Sequence, residues 1–160
     1  MVWDGEQRLD ASPGTAVPAA PSMSPVPPPS ILLADDDDEL RETLALALRA
    51  AGYAVVEAKT GLQLAALVRR RIVECGSCPE VQLVISDIQM PGCSGLDVLH
   101  VMREVGVAVP VVLITGFPDP GVLAEARRLG ARAILEKPFE LDDLGAAVGA
   151  LVPLAAGRNP

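Results

Sequence analysis

Five short apolar runs, most of them β-branched, alternate along this chain with stretches whose apolar residues recur at helical spacing. That alternation leaves few folds open. The runs are Ile31-Leu32-Leu33-Ala34, Tyr53-Ala54-Val55-Val56-Glu57, Gln82-Leu83-Val84-Ile85-Ser86-Asp87, Pro110-Val111-Val112-Leu113-Ile114-Thr115 and a last one over 131–136. Each is too short for a buried helix and is bounded by turn residues, so each reads as a strand covered on both faces. Between them, Leu40, Leu44, Ala47, Leu48 and Ala51 mark a first helix, stopped by Gly52. A second helix is predicted over about 62–72, with Leu64, Leu67 and Val68 inward and Arg69-Arg70-Arg71 near its C-terminus, where basic side chains suit the dipole. Ser94 opens a third with Asp97 three residues on, a capping-box pattern, and Leu96, Leu99 and Val105 at helical spacing. Pro120 starts a fourth that Gly130 ends, and a fifth runs over 141–151. Strand–helix repeated five times with right-handed crossovers predicts an α/β fold: a doubly wound, five-stranded parallel sheet, order 2-1-3-4-5, with helices on both faces.

Composition bounds the rest. The chain has 160 residues, half of them apolar but only 2% aromatic, so Leu, Val and Ala must fill one core. The net charge of −8, with no basic stripe, argues against direct nucleic-acid binding. No apolar run reaches membrane-span length and no secretory pattern opens the chain. Three cysteines in an ordinary composition suggest a reducing cytoplasm. Residues 1–29 hold seven of the fifteen prolines among Ala, Ser and Gly. This leader is expected to stay extended or disordered, as a flexible leader rather than a proline-motif ligand, although coding sequence upstream of a start at Met23 reads the same way. The folded domain is expected over 30–152, with a short tail over 153–160.

The strand ends carry the chemistry. Asp35 and Asp36 end the first strand, Asp87 the third, Thr115 the fourth and Lys137 the fifth. In an open α/β sheet, ligands bind at the carboxyl ends of the strands, where strands one and three flank the switch point. Three neighbouring carboxylates repel one another and call for a cation; an all-oxygen set suits Mg²⁺. Lys137 adds a second positive charge and Thr115 a hydroxyl, while Gly116 keeps the approach open. Together these groups can transfer a phosphoryl group to the Asp87 carboxylate. Any one of them has an ordinary explanation, as a helix cap, a strand stop or a solvated acid. Their coincidence at the ends of the right strands does not.

Other features carry less. Cys75-Gly76-Ser77-Cys78 lacks the further ligands that zinc needs and precedes a strand instead of opening a helix, so it reads as a loop with incidental cysteines. The only histidine, His100, reads as a surface residue on the third helix.

At these strand ends the chain resembles the receiver domains of two-component response regulators, which are flavodoxin-like in topology. The similarity rests on Asp35 and Asp36, on Asp87 with its Met90-Pro91-Gly92 loop, on Thr115 and on Lys137-Pro138-Phe139, and it covers roughly residues 30–152. The resemblance implies that Asp87 takes a phosphoryl group from a phosphohistidine of a sensor histidine kinase or phosphotransfer protein. It implies that Asp36, Asp87 and the backbone carbonyl of Gln89 bind Mg²⁺ directly, and Asp35 mainly through water. Lys137 would pair with the acids. Phosphorylation would draw Thr115 inward and shift the face of helix four, strand five and helix five. Ile134 departs from the pattern, since the family often has an aromatic residue there, so output is expected to rely on helix four. The connection holding Cys75 and Cys78 is also longer than such connections need.

With no output domain expected after residue 152, the reading is a stand-alone switch that signals through a partner protein or a phosphorelay. A hydrolase using an aspartyl-phosphate intermediate is the alternative from another class. It wants a second acid two residues after the nucleophile, where this chain has Gln89. A flavodoxin-like cofactor carrier is disfavoured because the acids after strand one would repel a flavin phosphate. A fragment of a larger regulator or hybrid kinase fits the same residues.

Overall fold

The structure, a computed structural model, describes Gly14 and residues 26–75 and 80–155. The expectations for the leader before Val26, for Cys78 and for the end of the tail lie outside the described residues.

Five parallel strands form one sheet in the order β2-β1-β3-β4-β5. They are β1 (Ser30–Ala34), β2 (Ala54–Ala58), β3 (Leu83–Asp87), β4 (Val111–Thr115) and β5 (Ala133–Glu136). The helices between and after them are α1 (Asp38–Ala51), α2 (Gly61–Val68), α3 (Gly95–Glu104), α4 (Pro120–Arg128) and α5 (Leu141–Leu151). The predicted topology is the observed one. The strands are continuous apolar runs because both faces of the sheet are covered. Ile31, Leu33, Ile85, Val112 and Ile114 pack with Leu44, Leu48, Leu144 and Val148 of α1 and α5. Their neighbours Leu32, Ala34, Val84, Val111 and Leu113 pack on the opposite face with Leu64, Val98, Leu99, Met102 and Ala126 of α2, α3 and α4.

Local chemistry sets the element ends. Asp37 caps α1, its carboxylate accepting from Leu40 N, and Gly52 closes the helix at a φ of 109° that favours glycine. Ser94 and Asp97 form the expected capping box of α3. The buried stripe of α1 is Arg41, Leu44, Ala45 and Leu48, so the expected inward Ala51 is exposed instead. Val105 is also exposed, because Val98, Leu99 and Met102 already cover the inner face of α3. The second helix is shorter than expected: after Val68 the chain turns π-helical over Arg69–Val73. Glu74 N there reaches back to Arg69 O, and Ile72 is buried while Arg69 and Arg70 face outward. β5 starts later than expected, because Ala131 N still bonds to Ala126 O and finishes the preceding helix. At the far end of the sheet Tyr53 Oη donates to Val152 O at 2.8 Å, tying the end of α5 to the start of β2.

Candidate functional site

The parallel ladder continues just past the strands and thereby fixes the backbone that carries the polar residues. Asp35 N donates to Ala58 O, Ile88 N to Ile114 O and Lys137 N to Thr115 O. In register, Asp87 lies beside Ile114, and Thr115 beside Glu136. Asp35, Asp87, Thr115 and Lys137 therefore arrive at one edge of the sheet as a consequence of strand pairing, not of loop conformation.

Lys137 joins them. Its Nζ lies 2.9 Å from Asp87 Oδ2 and 3.2 Å from Asp35 Oδ2. The second oxygen of each acid is occupied too: Asp87 Oδ1 accepts from Gln89 N at 3.0 Å, and Asp35 Oδ1 from Asp37 N at 2.9 Å. Asp35, Asp87 and Thr115 are buried, whereas Asp36 is exposed. Burial pushes the Asp35 carboxyl above its ordinary value, against the pull of the Asp37 N–H and of Lys137. Burial would lower the Lys137 ammonium, but its hydrogen bond to Asp87 and the two carboxylate charges outweigh that and hold it above the usual lysine value. The Lys137–Pro138 peptide is cis.

Asp35, Asp36 and Asp87 each offer a carboxylate oxygen, and these oxygens lie within 4.8 Å of one another. Hard oxygen donors, with one acid open to water, fit a Mg²⁺ ion, which keeps part of its hydration shell when bound. The fit rests on this donor set.

Thr115 has other partners than the reading of the sequence anticipates. Its Oγ1 donates to Gln89 Oε1 at 3.2 Å and accepts from Phe117 N at 3.1 Å. Ile134 is partly buried against the core face that holds Leu113 and Ala126. His100 sits on the exposed face of α3, 3.3 Å from Glu104.

Two supports escape the sequence reading. Arg41 is buried against the acidic loop, donating through Nη1 to Asp35 O at 3.0 Å. Its signal was the spacing 41, 44, 45, 48, which puts it in phase with the apolar stripe of α1. Gly95 is the other. A Cβ there would lie 2.3 Å from Asp87 O and 2.6 Å from Ser86 Oγ, so only glycine lets α3 approach the end of β3 this closely.

Residues 31–149 match the response regulator receiver domain. The chain is 39% identical over 126 residues to the C4-dicarboxylate transport transcriptional regulatory protein DctD of Pseudomonas aeruginosa, a match covering 76% of this chain and 26% of that protein. It is 37% identical over 125 residues to the transcriptional regulatory protein FixJ of Azorhizobium caulinodans, covering 78% and 54%. Sporulation initiation phosphotransferase F of Bacillus subtilis is 28% identical over 124 residues, covering 78% of this chain and 94% of that one. The chain thus spans about half or less of the two transcriptional regulators and nearly all of the phosphotransferase. Among solved structures, a response regulator receiver protein from Pseudomonas putida superposes with a TM-score of 0.69 at 25% identity, covering 78% of this chain and 98% of that one. A CheY-like receiver domain protein from Methanospirillum hungatei shares the fold, with a TM-score of 0.69 at 22% identity, covering 77% and 92%. A receiver profile across the folded part, the 2-1-3-4-5 sheet and the acids gathered at its edge lead to one conclusion: the chain belongs to the response regulator receiver domain family, the phosphorylation-dependent switches of two-component signalling.

Proposed function

We propose that Asp87 is the phosphoacceptor of this switch. The observation that carries the reading is the contact of Lys137 Nζ with both Asp87 and Asp35 at the carboxyl end of the sheet. A carboxylate oxygen of Asp87 attacks the phosphorus of a phosphohistidine on a sensor kinase or phosphotransfer protein. The P–N bond breaks, and the electron pair leaves with the imidazole. Asp35, Asp36, Asp87 and the Gln89 carbonyl would hold Mg²⁺, Asp35 mainly through water. Mg²⁺ when bound supplies positive charge that offsets the negative charge of the phosphoryl oxygens. Lys137 neutralises a further share of that charge. Thr115 gives up Gln89 and donates a hydrogen bond to a phosphoryl oxygen, a change that connects the site to β4 and the loop with exposed Phe117.

The chain catalyses its own phosphorylation and its own dephosphorylation, by water attack at the same phosphorus. The resulting charge biases a two-state surface read by a protein partner, or the group passes onward in a relay. A net charge of −8 supports a protein rather than a nucleic-acid partner. Residence in the cytoplasm fits a partner kinase that presents its phosphohistidine there, and among the described residues no helix is long and apolar enough to cross a membrane.

The test is incubation with acetyl phosphate, with and without Mg²⁺. The expected result is Mg²⁺-dependent incorporation of one phosphoryl group per chain, followed by slow loss. Sustained turnover of generic phosphate esters without accumulation of label would instead indicate a hydrolase.

A further inference from the structure

Among the described residues, Arg41 is the only buried cation; just 2% of its side chain is exposed. The phosphoryl chemistry above makes no use of it. Three of its nitrogens are engaged at once. Nη1 donates to Asp35 O at 3.0 Å, Nε to Glu57 Oε2 at 3.1 Å and Nη2 to Asp38 Oδ1 at 2.5 Å. The carbonyl it holds belongs to the peptide that joins Asp35 to Asp36. That peptide decides where both carboxylates point. The next peptide is tied in as well, since its Asp37 N–H donates to Asp35 Oδ1. Glu57, which steadies the outer edge of the guanidinium, is itself held by Arg49 at 3.0 Å.

We propose that Arg41 is a positioning residue for the acidic pair. Its guanidinium clamps the Asp35–Asp36 peptide so that both carboxylates face Asp87, and this raises the affinity of the pocket for a divalent cation. The planar, rigid fork suits the task, because one group meets a carbonyl and two carboxylates in fixed directions. Groups that orient metal ligands without touching the metal commonly matter this way.

The clamp and the charge of Arg41 act on a cation in opposite directions. A positive charge beside the pocket repels Mg²⁺, so removing it by Coulomb forces alone would tighten binding. Removing a clamp loosens it. The sign of the change therefore separates positioning from simple electrostatics, and from a purely structural role that would leave the affinity of folded protein unaltered.

The inference rests on the reading of the pocket as a Mg²⁺ site, and the experiment keeps the two apart. Mg²⁺ affinity is measured by titration calorimetry on wild type, Arg41→Met, Arg41→Lys and Glu57→Gln, with folding of each confirmed by circular dichroism. Arg41→Met is expected to weaken Mg²⁺ binding roughly 10- to 100-fold. Arg41→Lys keeps the charge and most of the stem but cannot span three acceptors, so it remains weakened and stands in if Arg41→Met fails to fold. Glu57→Gln leaves the bond to Asp35 O and an oxygen acceptor for Nε in place, so its loss of affinity is expected to be smaller than that of Arg41→Met. Absence of Mg²⁺ binding in the wild type overturns the metal reading itself. Wild-type binding together with equal or tighter binding in the folded Arg41 variants overturns the clamp alone.

Discussion

Lys137 Nζ and Asp87 Oδ2 lie 2.9 Å apart although 50 residues separate them in the sequence. The pair ties the end of β5 to the end of β3 across the intervening β4, and the same ammonium reaches Asp35 beyond. It is a cation placed between two buried carboxylates that would otherwise repel one another.

Replacing that ammonium should therefore separate metal binding from chemistry. Lys137→Met is expected to destabilise the metal-free protein by about 1–2 kcal/mol, since two buried acids lose a charged partner. It should bind Mg²⁺ more tightly than wild type, because a competing positive charge is gone. Labelling by acetyl phosphate should nonetheless slow by about tenfold or more, the loss of one charge-stabilising donor. Calorimetry and a labelling time course check both directions; weaker Mg²⁺ binding would contradict this account of Lys137.

Glycine substitutions should divide by place. Gly95→Ala puts a methyl 2.3 Å from the Asp87 carbonyl oxygen, so the end of β3 or the start of α3 must shift. A cost of about 1–3 kcal/mol is expected, with slower labelling because Asp87 moves. Gly145 in α5 is exposed, with nothing within 4 Å of an added Cβ. Gly145→Ala should stabilise by up to about 1 kcal/mol and leave labelling alone. Thermal melts of the two variants give the comparison.

The capping box of α3 makes a pH-dependent contribution. Hydrogen bonds from Ser94, first its backbone N–H and then its hydroxyl, hold the Asp97 carboxyl below the usual carboxylate range. A folded-state value below the unfolded one means that the stabilisation is present above the unfolded value and is lost as pH falls through the folded one. Asp97→Ala should cost about 0.5–1 kcal/mol near neutral pH. The gap from wild type should begin to narrow below about pH 4, the ordinary range of an aspartate, and close as pH falls through the lower folded-state value. Urea unfolding at neutral and acid pH measures it.

Much of this was legible in the sequence. Runs such as Leu83-Val84-Ile85 read as strands because burial on both faces leaves no polar position in them, and helical spacing placed α1, α3 and α5 between and after them. That Asp35, Asp87, Thr115 and Lys137 come to one end of the sheet was legible because a parallel sheet carries all its strand ends to the same edge. What escaped depends on contacts that no local pattern encodes. Arg41 carries no local mark of burial, because charge usually means exposure, yet it sits in phase with Leu44, Ala45 and Leu48 and meets acceptors from the loop after β1, from α1 and from β2. The partner of Thr115 was likewise hidden, since Gln89 reaches it from a loop 26 residues away. The π turn after α2 has no signature in Arg69-Arg70-Arg71, whose helix propensity is ordinary.

Phosphorylation at Asp87 is read out by mapping the site of label. Wild type and Asp87→Asn are incubated with acetyl phosphate and Mg²⁺, the acyl phosphate is trapped by borohydride reduction, and the modified peptide is identified by mass spectrometry. The expected result is a single modified residue, Asp87, in the wild type and no label in Asp87→Asn. Undiminished labelling of Asp87→Asn, mapped to another aspartate, would contradict it.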